Sequence, residues 1–288
     1  MPKYIKYFFP LLLLLFLTSC DVINPDEPIP AYIQIDKIDV STNPVSEGSA
    51  SSKITDAWVY VDGNLIGIFE LPAKFPVLKE GEHDLIIKPG IKVNGISNTR
   101  AYYPFYKQYE ATVTFVKGEV MSIHPVVTYY PDMVNWVEDF EGGGQTIETT
   151  STDDTAMIKC SDPTQVFEGS YSGMVHLTAS KPHFFGITMD EYVLPATGAP
   201  VFLEMNYKTN CKIYVGMYAY YQGNTTRIET IRLNEMPEWN KIYINLTETL
   251  QQQPNASGWK VYLDMYRPDS IDSPVAYFDN LKLVYSKP

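Results

Sequence analysis

Four runs in the C-terminal half alternate in a way that would gather chemistry on one surface. Successive side chains of a β-strand point to opposite faces, so each run splits into two sets. Lys212–Tyr221 separates Ile213, Val215, Met217 and Ala219 from Tyr214, Gly216, Tyr218 and Tyr220. Trp259–Tyr266 separates Trp259, Val261, Leu263 and Met265 from Lys260, Tyr262, Asp264 and Tyr266. Phe202, Glu204, Asn206 and Lys208 oppose Val201, Leu203, Met205 and Tyr207, and Tyr243 with Asn245 opposes Ile242, Ile244 and Leu246. If these strands share a sheet, the apolar sets form a core and the others form a field of tyrosines interleaved with acids, amides and lysines. Such a field suits a sugar, whose C–H faces stack on rings while its hydroxyls bond to carboxylates and amides. The expected ligand residues are Tyr214, Tyr218, Tyr220, Tyr243, Tyr262, Asp264 and Tyr266. Packing offers a second reason for the same residues, because cross-strand aromatic pairs stabilise a half-exposed sheet without any ligand.

Catalytic patterns are missing from the sequence. It has no His-Glu-x-x-His, P-loop or Gly-x-Ser-x-Gly, and Gly169-Ser170-Tyr171-Ser172-Gly173 carries Tyr where a nucleophile would stand. Only four histidines occur, His83, His124, His176 and His183. The Glu-x-Asp-x-x-Glu set of jelly-roll glycosidases does not occur either. Arg227-Ile228-Glu229-Thr230-Ile231-Arg232 and Lys212–Tyr218 faintly resemble strands of alginate-type polysaccharide lyases, in which Arg, Tyr and His neutralise a uronate and move its proton. By plain alternation, however, Arg232 falls on the opposite face of a strand from Glu229. The expectation is a chain that is not an enzyme.

The N-terminus carries a different kind of information. Lys3 and Lys6 precede an apolar run from Phe8 to Leu17 that is too short to span a bilayer as a stable helix, so residues 1–19 read as a signal peptide. Leu17-Thr18-Ser19-Cys20 resembles the lipobox of bacterial lipoproteins. The resemblance implies cleavage before Cys20 and acylation of its thiol, and two or three acyl chains, at about 0.8 kcal/mol per buried methylene, would anchor the chain to a membrane. Residues 20–31 combine Pro25, Pro28 and Pro30 with Asp21, Asp26 and Glu27, the composition of an extended tether. Acids this soon after the cysteine resemble the surface-export signal of Bacteroidetes lipoproteins, which implies the outer membrane and exposure at the cell surface. Removing a leader with two lysines and no acid moves the formal charge from −12 to −14, which argues against nucleic acid as a partner. Cys160 and Cys211 remain, in a compartment that permits a disulfide, and their spacing leaves the pairing open.

Short β-rich runs between turn signals fill the rest, with no sustained helical period. Asp62-Gly63 between Ala57–Val61 and Leu65–Phe69 is a hairpin signal. Runs at His83–Lys88, Tyr109–Val116 and Val120–Tyr129 are separated by Gly81, Pro89-Gly90, Asn94-Gly95 and Lys117-Gly118. Tyr60–Gly67 and Leu78–His83 resemble the hairpin and turn of Ig-like or PEGA-like envelope modules, so residues 32–131 are expected to form one. Asn135–Gly143, Glu168–Val175 and Tyr277–Leu283 resemble, in order, the opening, second and closing strands of galactose-binding-like jelly-roll carbohydrate-binding modules, which places such a domain at residues 134–288. That resemblance implies a structural calcium ion held by Glu141, Glu168, Ser170 and Asp279, since Ca²⁺ takes six to eight oxygens from separate segments. The expected architecture is all-β, an Ig-like β-sandwich followed by a jelly-roll β-sandwich. The expected role is a non-catalytic envelope lipoprotein binding glycan, or alternatively a structural or adhesion lipoprotein holding envelope proteins.

Overall fold

The computed structural model describes residues 27–149, 155–195 and 198–288; the expected signal peptide and Cys20 lie outside the described residues. The described chain is all-β apart from one five-residue helix, α1 (Thr247–Gln251).

Ten strands build the first sandwich: β1 (Ala31–Ile35), β2 (Asp39–Val40), β3 (Asp56–Val61), β4 (Asn64–Glu70), β5 (Ala73–Val77), β6 (Gly81–Lys92), β7 (Arg100–Tyr102), β8 (Tyr109–Phe115), β9 (Val120–Ile123) and β10 (Val126–Val127). One sheet runs β5-β1-β9, with β1 and β9 parallel, and the other runs β4-β3-β6, with β7 and β8 both pairing β6. Alternation does the sorting: Ile33 and Ile35 of β1, Val59 and Val61 of β3, and Leu85 and Ile87 of β6 are all buried in one cluster. The β3–β4 hairpin turns through Asp62 at φ 51° and Gly63 at φ 74°, the two positive values that a tight primed turn requires. Pro89-Gly90 departs from its expected role as a separator, because β6 continues through it. The Pro89 carbonyl accepts the Tyr103 N–H at 2.9 Å, so the ladder loses only a donor, and Gly90 lets the Asp56 backbone come close.

The second sandwich comprises β11 (Val134–Glu138), β12 (Ile147–Thr149), β13 (Ile158–Cys160), β14 (Ser172–His176), β15 (His183–Thr188), β16 (Val201–Thr209), β17 (Ile213–Tyr221), β18 (Asn224–Leu233), β19 (Met236–Asn245), β20 (Gly258–Tyr266) and β21 (Val275–Tyr285). One sheet is β13-β14-β21-β16-β19, with β11 also on β21; the other is β12-β15-β20-β17-β18. From β14 onward the chain changes sheet at almost every connection, which is the double-sheet winding of a jelly roll. The apolar sets read from the sequence do face one another. Val201, Leu203 and Met205 of β16 meet Ile213, Val215 and Met217 of β17 and Val261, Leu263 and Met265 of β20 in a single core. Cys160 and Cys211 are free thiols, and Cys211 is buried in that core.

One expectation is overturned here. The four alternating runs do not share a sheet: β16 and β19 lie in one and β17 and β20 in the other, so their polar faces point to opposite sides of the sandwich. The β16/β19 face is sealed against the first sandwich. Phe202, Tyr243 and Val284 pack into the first sandwich's core, and the Tyr103 ring meets Phe202 and Tyr243 at 5.3 and 4.9 Å. Glu204, fully buried, accepts hydrogen bonds from the Tyr103 hydroxyl at 2.7 Å and the Tyr129 hydroxyl at 2.8 Å, and Lys241 Nζ lies 2.9 Å from its other oxygen. Lys282, equally buried, donates to the Ser49 carbonyl at 2.5 Å. Burial would raise the Glu204 carboxyl, but Lys241, Lys282 and the Tyr103 hydroxyl outweigh it and hold the group below its ordinary range. The turn at Asn94-Gly95 completes the joint, with Asn94 Oδ1 accepting the Asn245 N–H at 2.8 Å.

Candidate functional site

The remaining polar face belongs to β12-β15-β20-β17-β18. Antiparallel register fixes which side chains share it, since directly paired residues point the same way. Tyr214 pairs Asp264, Gly216 pairs Tyr262, Tyr218 pairs Lys260, and on the other edge of β20 His183 pairs Tyr266 and Phe185 pairs Asp264. The β17–β18 ladder adds Arg227 opposite Tyr218, Glu229 opposite Gly216 and Arg232 opposite Tyr214.

Asp264 is the centre. It is fully buried, its Oδ2 accepts from the Arg227 guanidinium, and its Oδ1 lies 2.8 Å from His183 Nε2. Arg227 lies against two rings, 4.6 Å from the Phe185 centroid and 4.5 Å from that of Tyr262. Burial would weaken its hold on the proton, but the Tyr262 hydroxyl and Asp264 outweigh burial and push the guanidinium up, so it is a permanent cation. Around this pair stand the rings a ligand would meet. Tyr266 is half exposed and stacks on His183 at 4.6 Å, while Tyr214, Tyr218 and Tyr220 are partly exposed along β17. Tyr218 meets Tyr262 edge-on at 6.1 Å. Burial first, then neighbouring carboxylates, raise the Tyr220 and Tyr266 phenols further above neutral pH. The charges on the face are paired: Arg232 with Glu229 at 3.1 Å and Lys260 with Glu148 at 3.4 Å, beside the Asp264 centre.

Gly216 makes the arrangement possible. A Cβ there would lie 2.2 Å from the Ile228 carbonyl oxygen and 2.4 Å from the Tyr262 hydroxyl. Only a residue without a side chain lets Tyr262 lie across β17 and reach Arg227.

The expected ligand set is therefore brought together in part. Tyr214, Tyr218, Tyr220 and Tyr266 line the open face, but Tyr262 and Asp264 lie beneath it as supports, and Tyr243 is on the opposite sheet, buried between the sandwiches. The correction for Tyr243 follows from topology, because alternation identifies a face without saying which sheet it belongs to. Arg227, His183 and Phe185 are the additions; the first two stood in the sequence as isolated polar residues whose partners are 37 and 81 positions away. Glu229 and Arg232 correct the alternation reading as well. A bulge in the β17–β18 register, where Val215 pairs Ile231 and Gly216 pairs Glu229, leaves Thr230 unpaired and turns both charged residues to the same face.

The residues assigned to calcium meet at a different place, around a cavity between the sandwiches lined by Glu141, Glu168 and Asp279. Glu141 Oε1 accepts the N–H groups of Ser170 at 2.7 Å and Tyr171 at 2.8 Å, and Glu168 Oε2 accepts from the Ser49 hydroxyl at 2.6 Å. Asp279 is buried and accepts from the Ser172 hydroxyl at 2.6 Å and the Asn280 N–H at 2.8 Å. Burial foremost, with Glu168 adding to it, pushes the Asp279 carboxyl up to about 7. Among the described residues no three acidic, histidine or cysteine side chains are grouped as a metal ion would need. As placed, one oxygen of Glu141, one of Glu168 and both of Asp279 are engaged by protein donors.

No family model matches this sequence, and no curated protein matches it. Solved structures do. A xylan-binding domain of carbohydrate-binding module family 22 is 11% identical over 55% of this chain and 99% of its own, with a TM-score of 0.39. The family 11 carbohydrate-binding module of a Clostridium thermocellum cellulase is 11% identical over 54% of this chain and 96% of its own, with a TM-score of 0.37. The enzymatically active domain of the bacteriophage CBA120 tailspike protein 4 is 14% identical over 59% of this chain and 26% of its own, with a TM-score of 0.40.

Proposed function

We propose that this chain is a non-catalytic glycan-binding lipoprotein of the bacterial outer membrane, surface-exposed and anchored through Cys20, whose sugar site is the open face of β15-β20-β17-β18. The observation that carries the reading is the combination on that face of partly exposed Tyr214, Tyr218, Tyr220 and Tyr266 with the Arg227–Asp264–His183 centre. Rings supply apolar platforms for sugar C–H faces, and paired charges supply donors and acceptors for hydroxyls without a net field. A face of that kind favours a neutral sugar chain. Tyr218→Ala removes one platform and is expected to weaken binding of a glycan ligand, found by array and measured by calorimetry, by about 1 kcal/mol, or roughly fivefold. Unchanged affinity in Tyr218→Ala and Tyr214→Ala would remove the face from consideration. The anchor is tested separately: Cys20→Ser should move the chain from the membrane fraction to the soluble one.

A uronate lyase is the second reading, favoured by the bulge that aligns Arg227, Glu229 and Arg232 beside His183 and the tyrosines. Incubation with polyuronates separates the two, since a lyase leaves unsaturated products that absorb in the ultraviolet and a binding protein leaves the polymer intact.

A further inference from the structure

A second cavity at the joint of the two sandwiches has the opposite electrostatic character to the chain as a whole. Its volume is about 210 Å³, and its walls carry Lys53, Lys92, Arg232 and Lys241 together with Asn94 and Asn234. Among the described residues none of the lining side chains is acidic, in a chain with 34 acids against 22 lysines and arginines. The available counter-charges only partly cancel these cations. Lys241 is matched by Glu204; Lys92 reaches Glu70 at 3.5 Å and Arg232 reaches Glu229 at 3.1 Å, but both acids are exposed and their pull is weakened by water. Lys53 has no carboxylate partner among the described residues, and its ammonium bonds instead to the Asn240 side-chain carbonyl. Burial first, then repulsion from Lys92, lowers the Lys53 pKa. Asn94 spends its Oδ1 on the Asn245 N–H, which leaves its amino group as a further donor.

We infer that this cavity binds a small tetrahedral oxyanion, phosphate or sulfate, either free or as an ester on a sugar. Lys53 and Lys92 both line the cavity with Asn94 beside them, and ammonium groups act as point charges that satisfy oxygens in any direction rather than a planar fork matched to carboxylate. Arg232 lines the cavity and also reaches the sugar face, where its guanidinium lies 4.7 Å from the Tyr214 ring centroid. The oxyanion site stands whether or not sugars bind that face; only the ester source rests on the glycan reading.

The test is a calorimetric titration of the purified full chain with sodium sulfate and sodium phosphate, against chloride at equal ionic strength. Saturable binding is expected for sulfate or phosphate and not chloride. Lys53→Gln and Lys92→Gln should each weaken it roughly tenfold, the scale of one charged hydrogen bond. Lys53→Arg should retain binding, which separates loss of charge from loss of structure, and Lys37→Gln, at an exposed lysine paired with Asp39, should leave it unchanged. A sulfated oligosaccharide that binds more tightly than free sulfate, and loses the advantage in Tyr214→Ala, identifies the ester as the source; equal affinities identify the free ion. Absence of saturable binding, or binding that survives in the Lys53→Gln/Lys92→Gln double variant, overturns the inference.

Discussion

The joint between the sandwiches turns on Glu204, so Glu204→Gln is the sharpest test of how it holds. The wild-type carboxylate is fully buried, accepts two tyrosine hydroxyls and faces Lys241 at 2.9 Å, with Lys282 close enough to act on it. The amide keeps the shape and one acceptor but removes the only negative charge bonded at this buried centre. Breaking a buried pair from one side costs about 3–5 kcal/mol, because the partner charge is left without compensation. Removing the charge on both sides is different: Glu204→Gln with Lys241→Met keeps an acceptor for the tyrosine hydroxyls and should recover part of the loss. Urea unfolding followed by tryptophan fluorescence reads both sandwiches, since Trp58 lies in the first and Trp136, Trp239 and Trp259 in the second. The wild type should unfold in one transition, and Glu204→Gln in an earlier one that splits as the sandwiches part. The Glu204 pKa is depressed in the fold, so its contribution is complete above the ordinary carboxylate range and disappears as pH falls through the depressed value. Glu204→Gln should therefore differ most from wild type at neutral pH and converge with it in acid. A loss below about 1 kcal/mol with one unsplit transition would refute the account of a charge-clamped joint.

Two further outcomes follow from particular atoms. Gly216→Ala should cost roughly 1–3 kcal/mol in thermal unfolding and also weaken glycan binding, because the new Cβ meets both the Ile228 carbonyl and the Tyr262 hydroxyl. Asp279 is raised in the fold to about 7, so its contribution is complete below the ordinary aspartate range and is lost as pH rises through about 7. Asp279→Asn should flatten the stability profile between pH 4 and 7, and wild-type melting at neutral pH should coincide in calcium and in chelator; a calcium-dependent rise would show that these carboxylates rearrange around the ion.

The strands, their inward faces and the Asp62-Gly63 turn were legible in the sequence because each rests on local rules: two-residue alternation and the positive φ that a tight turn demands. Val215, Leu263 and Met205 are in the core for the same local reason. Alternation also separated the tyrosines of β17 from that core, but it is blind to what covers the other side. Only the tertiary structure decided that β17 and β20 keep an open face while β16 and β19 lie under the first sandwich, where Glu204 and Tyr243 became parts of a joint. The bulge at Thr230 shows the same limit in small, since one unpaired residue reverses every face assignment beyond it and no local preference announces it. The Arg227–Asp264–His183 centre was hidden for a related reason: strand pairing within a sheet joins residues distant in the chain, and that pairing is set by which hydrophobic faces bury one another.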